Sequence, residues 1–296
     1  MTTHVESNLR RDFTWILVAY ATAICVGAAV YIGCTRMGEG PVLAMLYADI
    51  AGTLAIFAFS QMFSNTSFYD AYWSVAPPLI FLGWLATAPA LDLRSVLVFV
   101  LVCLWAVRLT HNWGRGWMGL GHVDWRYVDL RVKTGRAYPL VDLAGLHMFP
   151  TLIVFTGCIP LLRIAHLQAP LGGLDAVWLA VGFGALYLEW RADNVLRAHR
   201  LQRERDTDVL REDVWAWCRH PNYVGEMGFW LALAIAGHIL FADVWNWLGF
   251  VLMVLLFVCI SIPMIDKRQL ANKPDYARYK AEVPTLIPRL KRSPGA

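Results

Sequence analysis

The stretch VWNWLGFVLMVLLFVCISIPMI, Val244–Ile265, runs for 22 residues without a charge, and a helix needs about 20 apolar residues to cross the hydrocarbon core of a bilayer. Four further runs have that length and no charge: Phe13–Gly33, Ile50–Tyr69, Ala71–Leu91 and Leu143–Leu162. Three shorter runs, Ser95–Val107, Ala176–Leu188 and Met227–Ala242, have charged residues at or just beyond their ends. Of the 296 residues, 58% are hydrophobic and 16% charged, and the mean hydropathy is +0.47. A soluble domain rarely reaches such values. The expectation is an all-α polytopic membrane protein with eight transmembrane helices, or seven if one short segment only dips into the bilayer.

Lys and Arg collect on the cytoplasmic side of short loops. With eight crossings, the N-terminus, residues 64–73, 108–142 and 191–226, and the tail after 265 share one side. They hold 23 of the 26 Lys and Arg, leaving Arg36, Arg94 and Arg163 opposite. Both termini are therefore expected in the cytoplasm. The first run is too long for the apolar region of a signal peptide and lacks a convincing small-residue cleavage site, so it reads as a retained helix. No repeat or linker divides the chain, and one transmembrane domain over 1–296 is expected. The six cysteines form no C-x-x-C pair and lie mostly in apolar runs, where Cys behaves as a small hydrophobe. The eight histidines form no H-x-x-x-H cluster. No disulfide and no metal site is expected. The expected partners are membrane lipids and a lipid-like substrate from the bilayer, with no nucleic acid. A bacterial inner membrane suits the charge pattern, as does an endoplasmic reticulum membrane if the source is eukaryotic.

Polar groups at the mouth of a membrane helix are costly and usually functional. The segment Arg219-His220-Pro221-Asn222-Tyr223-Val224-Gly225-Glu226 places several there. Pro221 suits the first turn of a helix, which puts Asn222, Glu226 and Trp230 on one face. Upstream, Glu189, Asp193, Arg197 and Arg200 form a stripe at helical spacing. Facing stripes of this kind would make a polar cleft suited to a nucleotide-like cofactor, with Arg gripping phosphate. The plainer reading of Asp193 and Arg197 is an i,i+4 ion pair, and that of many loop arginines is contact with anionic headgroups. Asp266, Lys267 and Arg268 follow the last span, and Tyr276 and Tyr279 come after them. Those tyrosines read either as interfacial belt residues or as a stacking surface for a cofactor ring.

The RHPNYVGE segment, the preceding Asp-bearing helix exit and the Tyr-x-x-Tyr…Leu-Ile-Pro tail resemble the C-terminal domain of the steroid 5-alpha-reductase family, especially its bacterial membrane branch. The likeness runs from about Glu189 to Pro288. It extends upstream through Asn65–Trp73, Trp105–Leu109 and Asp124–Tyr127. The resemblance implies a reductase that takes NADPH from the cytoplasm and reduces a carbon–carbon double bond conjugated to a carbonyl in a steroid-like or other lipid. It makes 1–188 the substrate side and 189–296 the cofactor-binding region. Cofactor contacts would fall on Asp193, Arg200, Asn222 and Glu226, with tail contacts near Arg268 and Tyr276. The surrounding Arg197, Arg219, His220 and Tyr223 complete the candidate set. Glu189 departs from the amide-bearing side chain of the animal enzymes. The catalytic tyrosine, three residues before an Arg in the steroid reductases, is replaced by Trp105 before Arg108, and an indole cannot protonate an enolate.

Hydride delivered to the β-carbon of an enone builds charge on the carbonyl oxygen, which needs a pre-positioned donor in a dry site. Tyr69, Asp70 and Tyr72 are the catalytic candidates: a phenol donates and a neighbouring carboxyl orients it. The alternative for Asp70 is a helix cap. Arg108 and His111 are weaker candidates, with snorkelling as the alternative. Gly114–Gly119 fits G-x-G-x-x-G but follows a membrane helix and no strand, so no dinucleotide fold is expected. Two other functions fit the same segments. Isoprenylcysteine carboxyl methyltransferases, which bind S-adenosylmethionine, also carry an R-H-P-x-Y-x-G segment before two closing helices. A lipid-binding protein without catalysis would keep the fold and tolerate Trp105.

Overall fold

Ala19, Ala23 and Gly27 recur every four residues in the first apolar run, and Ala44, Ala48 and Gly52 do so around the second. In the computed structural model, which describes residues 2–287 with side chains from Leu9 onward, these two faces meet. Helices α1 (Thr2–Arg36) and α2 (Pro41–Met62) pack antiparallel. A Cβ at Gly27 would lie 3.1 Å from the Ala48 carbonyl oxygen, and one at Gly52 would lie 3.3 Å from that of Ala23. Lipid tails are as apolar as side chains, so close backbone approach at small residues is what favours helix over lipid as a neighbour.

Six helical stretches are long and apolar enough to cross a membrane: Leu9–Arg36, Pro41–Met62, Leu93–Gly116, Trp125–His166, Pro221–Leu240 and Trp245–Asn272. The protein is an all-α polytopic integral membrane protein, with no strand among the described residues. Three expected segments differ in extent. The Ala71–Leu91 run yields α3 (Tyr72–Leu85), only 14 residues; the Thr87 hydroxyl bonds the Trp84 carbonyl, and Pro89 brings no N–H to continue the ladder. The second span starts at Pro41 and passes through Asp49, so the acid that bounds the Ile50–Tyr69 run lies inside a helix. The Ala176–Leu188 run belongs to α8 (Asp175–Gln202), 28 residues long with a charged second half. The chain termini and Pro288 of the tail motif lie outside the described residues.

By its internal contacts the chain forms two compact units, 1–168 and 169–296. In the first, α3 packs on α4 (Leu93–Gly116), with Trp73 edge-on to Trp105 at 5.6 Å. Helix α5 (Trp125–Thr134), a 3-10 turn (Gly135–Ala137), α6 (Tyr138–Val141), a π turn (Asp142–Met148) and α7 (Phe149–His166) follow in succession. Residues five apart on an α-helix point about 140° from each other. The wider π turn brings Asp142 and His147 together at 3.2 Å.

In the second unit, α8 packs along α9 (Pro221–Leu240), with Pro221 in its first turn as expected. A Cβ at Gly225 would lie 2.8 Å from the Ala185 carbonyl and would overlap Glu189, and one at Gly228 would meet Ala185 Cβ at 2.9 Å. The order of these contacts makes the pair antiparallel and sets Asn222 level with the turn of α8 beyond Glu189. Helix α10 (Trp245–Leu255) passes through a π turn (Leu256–Ser261) into α11 (Ile262–Asn272), and α12 (Tyr276–Glu282) follows.

Candidate functional site

Helix α2 carries a polar stripe on its buried face. Asp49, Gly52, Thr53, Ile56 and Ser60 all lie on that face, at helical spacing. At the middle level, the hydroxyl of Tyr69 lies 2.7 Å from Thr151 Oγ1, which lies 3.0 Å from Thr53 Oγ1. In the direction Thr53 to Thr151 to Tyr69, the phenol accepts one bond and keeps its own proton to donate. Tyr69 is 4% exposed, which gives that proton a dry setting.

One level further along, His147 Nε2 lies 3.0 Å from Ser60 Oγ, and His147 Nδ1 faces Asp142. The order Ser, His, Asp matches the logic of a nucleophile, base and orienting acid. The surroundings assign it to structure. The Gln61 amide donates to Asp142 at 2.8 Å and the Thr66 hydroxyl at 3.0 Å, and Tyr138 OH joins Thr66 at 2.8 Å. Ser60 and His147 are at most 1% exposed. This is a satisfied buried network of the kind that fixes one arrangement of helices.

Asp70, expected to stand behind the tyrosines, turns away from them. Tyr127 donates its hydroxyl to Asp70 Oδ1; Arg126, paired to Asp124 at 2.8 Å, lies over the Tyr127 ring. The reason is local: Tyr69 and Tyr72 are three residues apart and share a face, whereas Asp70 is one residue on. Burial pushes the Asp70 carboxyl up to about 6, against the lowering pull of Arg126 and the Tyr127 bond. Tyr72 does join Tyr69, with ring centroids 6.1 Å apart. Its hydroxyl lies against Gly52, in the space a Cβ would fill. Trp105, at the position of the reductases' tyrosine, is fully buried.

In the second unit, Asp266 is the hub. Arg219 Nη2 donates to its Oδ2 at 3.1 Å, His220 Nε2 lies 3.3 Å from Oδ1, Tyr276 OH donates to Oδ1 at 2.5 Å, and Lys280 Nζ lies 3.1 Å from Oδ2. Arg219 also donates to the carbonyls of Lys280 and Val283 and to the Thr285 hydroxyl. Three expected cofactor contacts, Arg219, His220 and Tyr276, are thus committed to holding the tail. Burial and the bond to Asp266 push the Tyr276 phenol up. Tyr279 is 2% exposed and donates to the Trp215 carbonyl, so neither tail tyrosine offers an open ring face. Tyr223 is sandwiched between His220 and Phe257, at 5.4 and 4.4 Å.

Glu189, Asp193 and Glu226 are buried along α8 and α9, and Trp230 donates to Glu226 at 2.9 Å, as its i,i+4 spacing suggests. Asn222 Oδ1 is buried and finds no hydrogen-bond donor among the described residues. Arg197 is half-buried, and Arg200 and Arg268 are exposed. Arg200, Arg203 and Lys273 lie within electrostatic reach of one another, with Asp193 close to Arg200. The orphan amide oxygen and the three cations suit a ligand with hydroxyl donors and phosphate.

Asp49 gave no signal in the sequence beyond ending an apolar run. It is 7% exposed, and its Oδ2 also finds no donor among the described residues.

Residues 56–283, well over half of the chain, match the DUF1295 family, described as proteins of unknown function. The chain belongs to that family. An uncharacterised protein of the fission yeast Schizosaccharomyces pombe is 26% identical over 278 residues, covering 85% of this chain and 80% of the yeast protein. No solved structure matches.

Proposed function

We propose that this member of the DUF1295 family is a membrane-embedded, NADPH-dependent reductase of a carbon–carbon double bond conjugated to a carbonyl, acting on a steroid-like or other lipid. The observation that carries the reading is the Tyr69–Thr151–Thr53 chain, which holds a buried phenol by hydrogen bonds in a dry site. The likeness of Arg219–Glu226 to the steroid 5-alpha-reductase segment supports it. In the second unit, Asn222 would hold a ribose hydroxyl and Arg200, Arg203 and Lys273 the phosphates. NADPH, if bound there, would supply a hydride. In the first unit, taken by itself, Tyr69 with Tyr72 beside it would stabilise a substrate oxygen that gains charge, in the way pre-organised donors lower such barriers. The expected location is a bacterial inner membrane.

The test is calorimetry of detergent-purified protein with NADPH, NADH and S-adenosylmethionine. Preference for NADPH, lost in Asn222→Ala, supports the reading. Preference for S-adenosylmethionine moves the function to methyl transfer, and binding of none of the three rejects both.

A further inference from the structure

Both polar side chains on the buried stripe of α2 beyond Asp49 have a partner: Thr53 has Thr151 and Ser60 has His147. Asp49 does not. It lies eight residues into the 22-residue α2, about 12 Å along the axis of a helix long and apolar enough to cross a membrane, whose hydrocarbon core offers no water for hydrogen bonds. An ionisable group at such a depth reads by default as functional.

A second unsatisfied group stands one turn away. Gly52 is three residues on from Asp49, and the space beside its Cα is occupied by the Tyr72 hydroxyl. That hydroxyl takes no hydrogen-bond partner among the described residues. Asp49 is within electrostatic reach of both Tyr72 and Tyr69. A carboxyl that lacks a donor and a phenol that lacks an acceptor therefore lie within electrostatic reach of each other, with the ring of Tyr20 5.7 Å from that of Tyr72. The outer faces of the same helices present Leu43, Leu54, Leu79 and Leu82 to their surroundings, as lipid-facing positions do.

We propose that Asp49 and Tyr72 bind the single neutral oxygen, hydroxyl or carbonyl, at the end of an otherwise apolar lipid that enters from the bilayer. A hydroxyl donates to Asp49 and accepts from Tyr72; a carbonyl accepts from Tyr72 on binding and from Tyr69 as charge builds in turnover. Asp49 is thereby the acid of this site in place of Asp70. The proposal deepens the reductase reading by naming the feature of the substrate that is recognised. It rests on that reading only for the turnover that follows binding.

Binding is measured without any nicotinamide nucleotide. Protein in nanodiscs is titrated with tritiated cholesterol, cholest-4-en-3-one or 1-octadecanol, with 5α-cholestane and octadecane as oxygen-free competitors. The expected result is that at least one oxygenated probe binds and that its hydrocarbon counterpart does not compete. Asp49→Leu and Tyr72→Phe should each weaken binding by roughly ten- to a hundredfold, the size of a lost hydrogen bond to a polar or charged group. Asp49→Asn, which keeps a donor and an acceptor, should weaken it less. Asp49→Leu should also raise Tm, because a side chain kept for a ligand and not for the fold is replaced by an apolar one of similar size. Hydrocarbon binding as tight as that of every oxygenated probe, or unchanged binding in Asp49→Leu and Tyr72→Phe, overturns the proposal. Oxygen-selective binding together with failed NADPH binding would keep the lipid site and reject the reductase.

Discussion

Arg219 reaches Asp266, 47 residues downstream, at 3.1 Å with both side chains about 6% exposed. Removing one partner of a buried pair leaves an uncompensated charge, a loss of about 3–5 kcal/mol. Arg219→Ala should therefore lower Tm by many degrees and expose the segment after Asn272 to protease. Arg219→Lys should recover part of the stability, since an ammonium keeps the charge but cannot reach the Lys280 and Val283 carbonyls and Thr285 together. Equal protease resistance in wild type and Arg219→Ala would show that the tail is held by something else.

The α8 and α9 backbones touch at Gly225. A methyl group there meets the Ala185 carbonyl and Glu189, so Gly225→Ala should cost about 1–3 kcal/mol by overpacking. Gly184, on α8 with nothing within 4 Å of an added Cβ, is the control. Gly184→Ala should leave Tm unchanged or slightly raised, and similar losses at both sites would refute the close approach.

Asp70 gives a pH signature. Its carboxyl is raised from 3.8 to about 6, so the folded state holds the proton more tightly than the unfolded state does. The contribution of this group to stability is best below about pH 4, falls as pH rises through 6, and is constant above. Asp70→Asn should flatten the Tm profile between pH 4 and 6.5. An unchanged slope would assign that pH dependence to other groups.

Tyr69→Phe should lower turnover of an enone lipid by roughly a hundredfold or more, as loss of an oxyanion donor does, with NADPH affinity retained. Thr151→Val should act in the same direction with a smaller effect, because it removes the group that orients the phenol and not the donor. Loss of NADPH binding in Tyr69→Phe would take Tyr69 out of the catalytic role.

Most of the fold was legible because bilayer thickness sets run length: the runs beginning at Phe13 and Leu143, and all but the first residue of that beginning at Val244, lie within long apolar helices. A charge was read as the end of a span, and that rule failed at Asp49. The Gly40–Pro41 helix start and the Ala44, Ala48, Gly52 spacing were the signals of a helix running through the acid. The shortness of α3 was hidden because Pro77, Pro78 and Pro89 interrupt a run without breaking its hydrophobicity. At the site, i,i+4 logic put Glu226 and Trp230 on one face, where they hydrogen-bond. It could not show that Asp70 faces Tyr127 or that Arg219, His220 and Tyr276 converge on Asp266. Those contacts link positions far apart in the chain, and no local spacing encodes them.

The π turn at Asp142–Met148 makes residue count, as well as residue identity, a constraint on this helix. Gly145 is exposed, and an added Cβ there would touch nothing, so by contacts alone it is dispensable. Excising it would convert the turn to ordinary α winding and rotate all that follows by about 100°. Thr151 would swing off Tyr69 and Thr53, and His147 off Ser60, without any of those residues being changed. A one-residue deletion at an inert position should thus be more damaging than most substitutions within the network, and tolerated length variation would have to lie elsewhere in the chain.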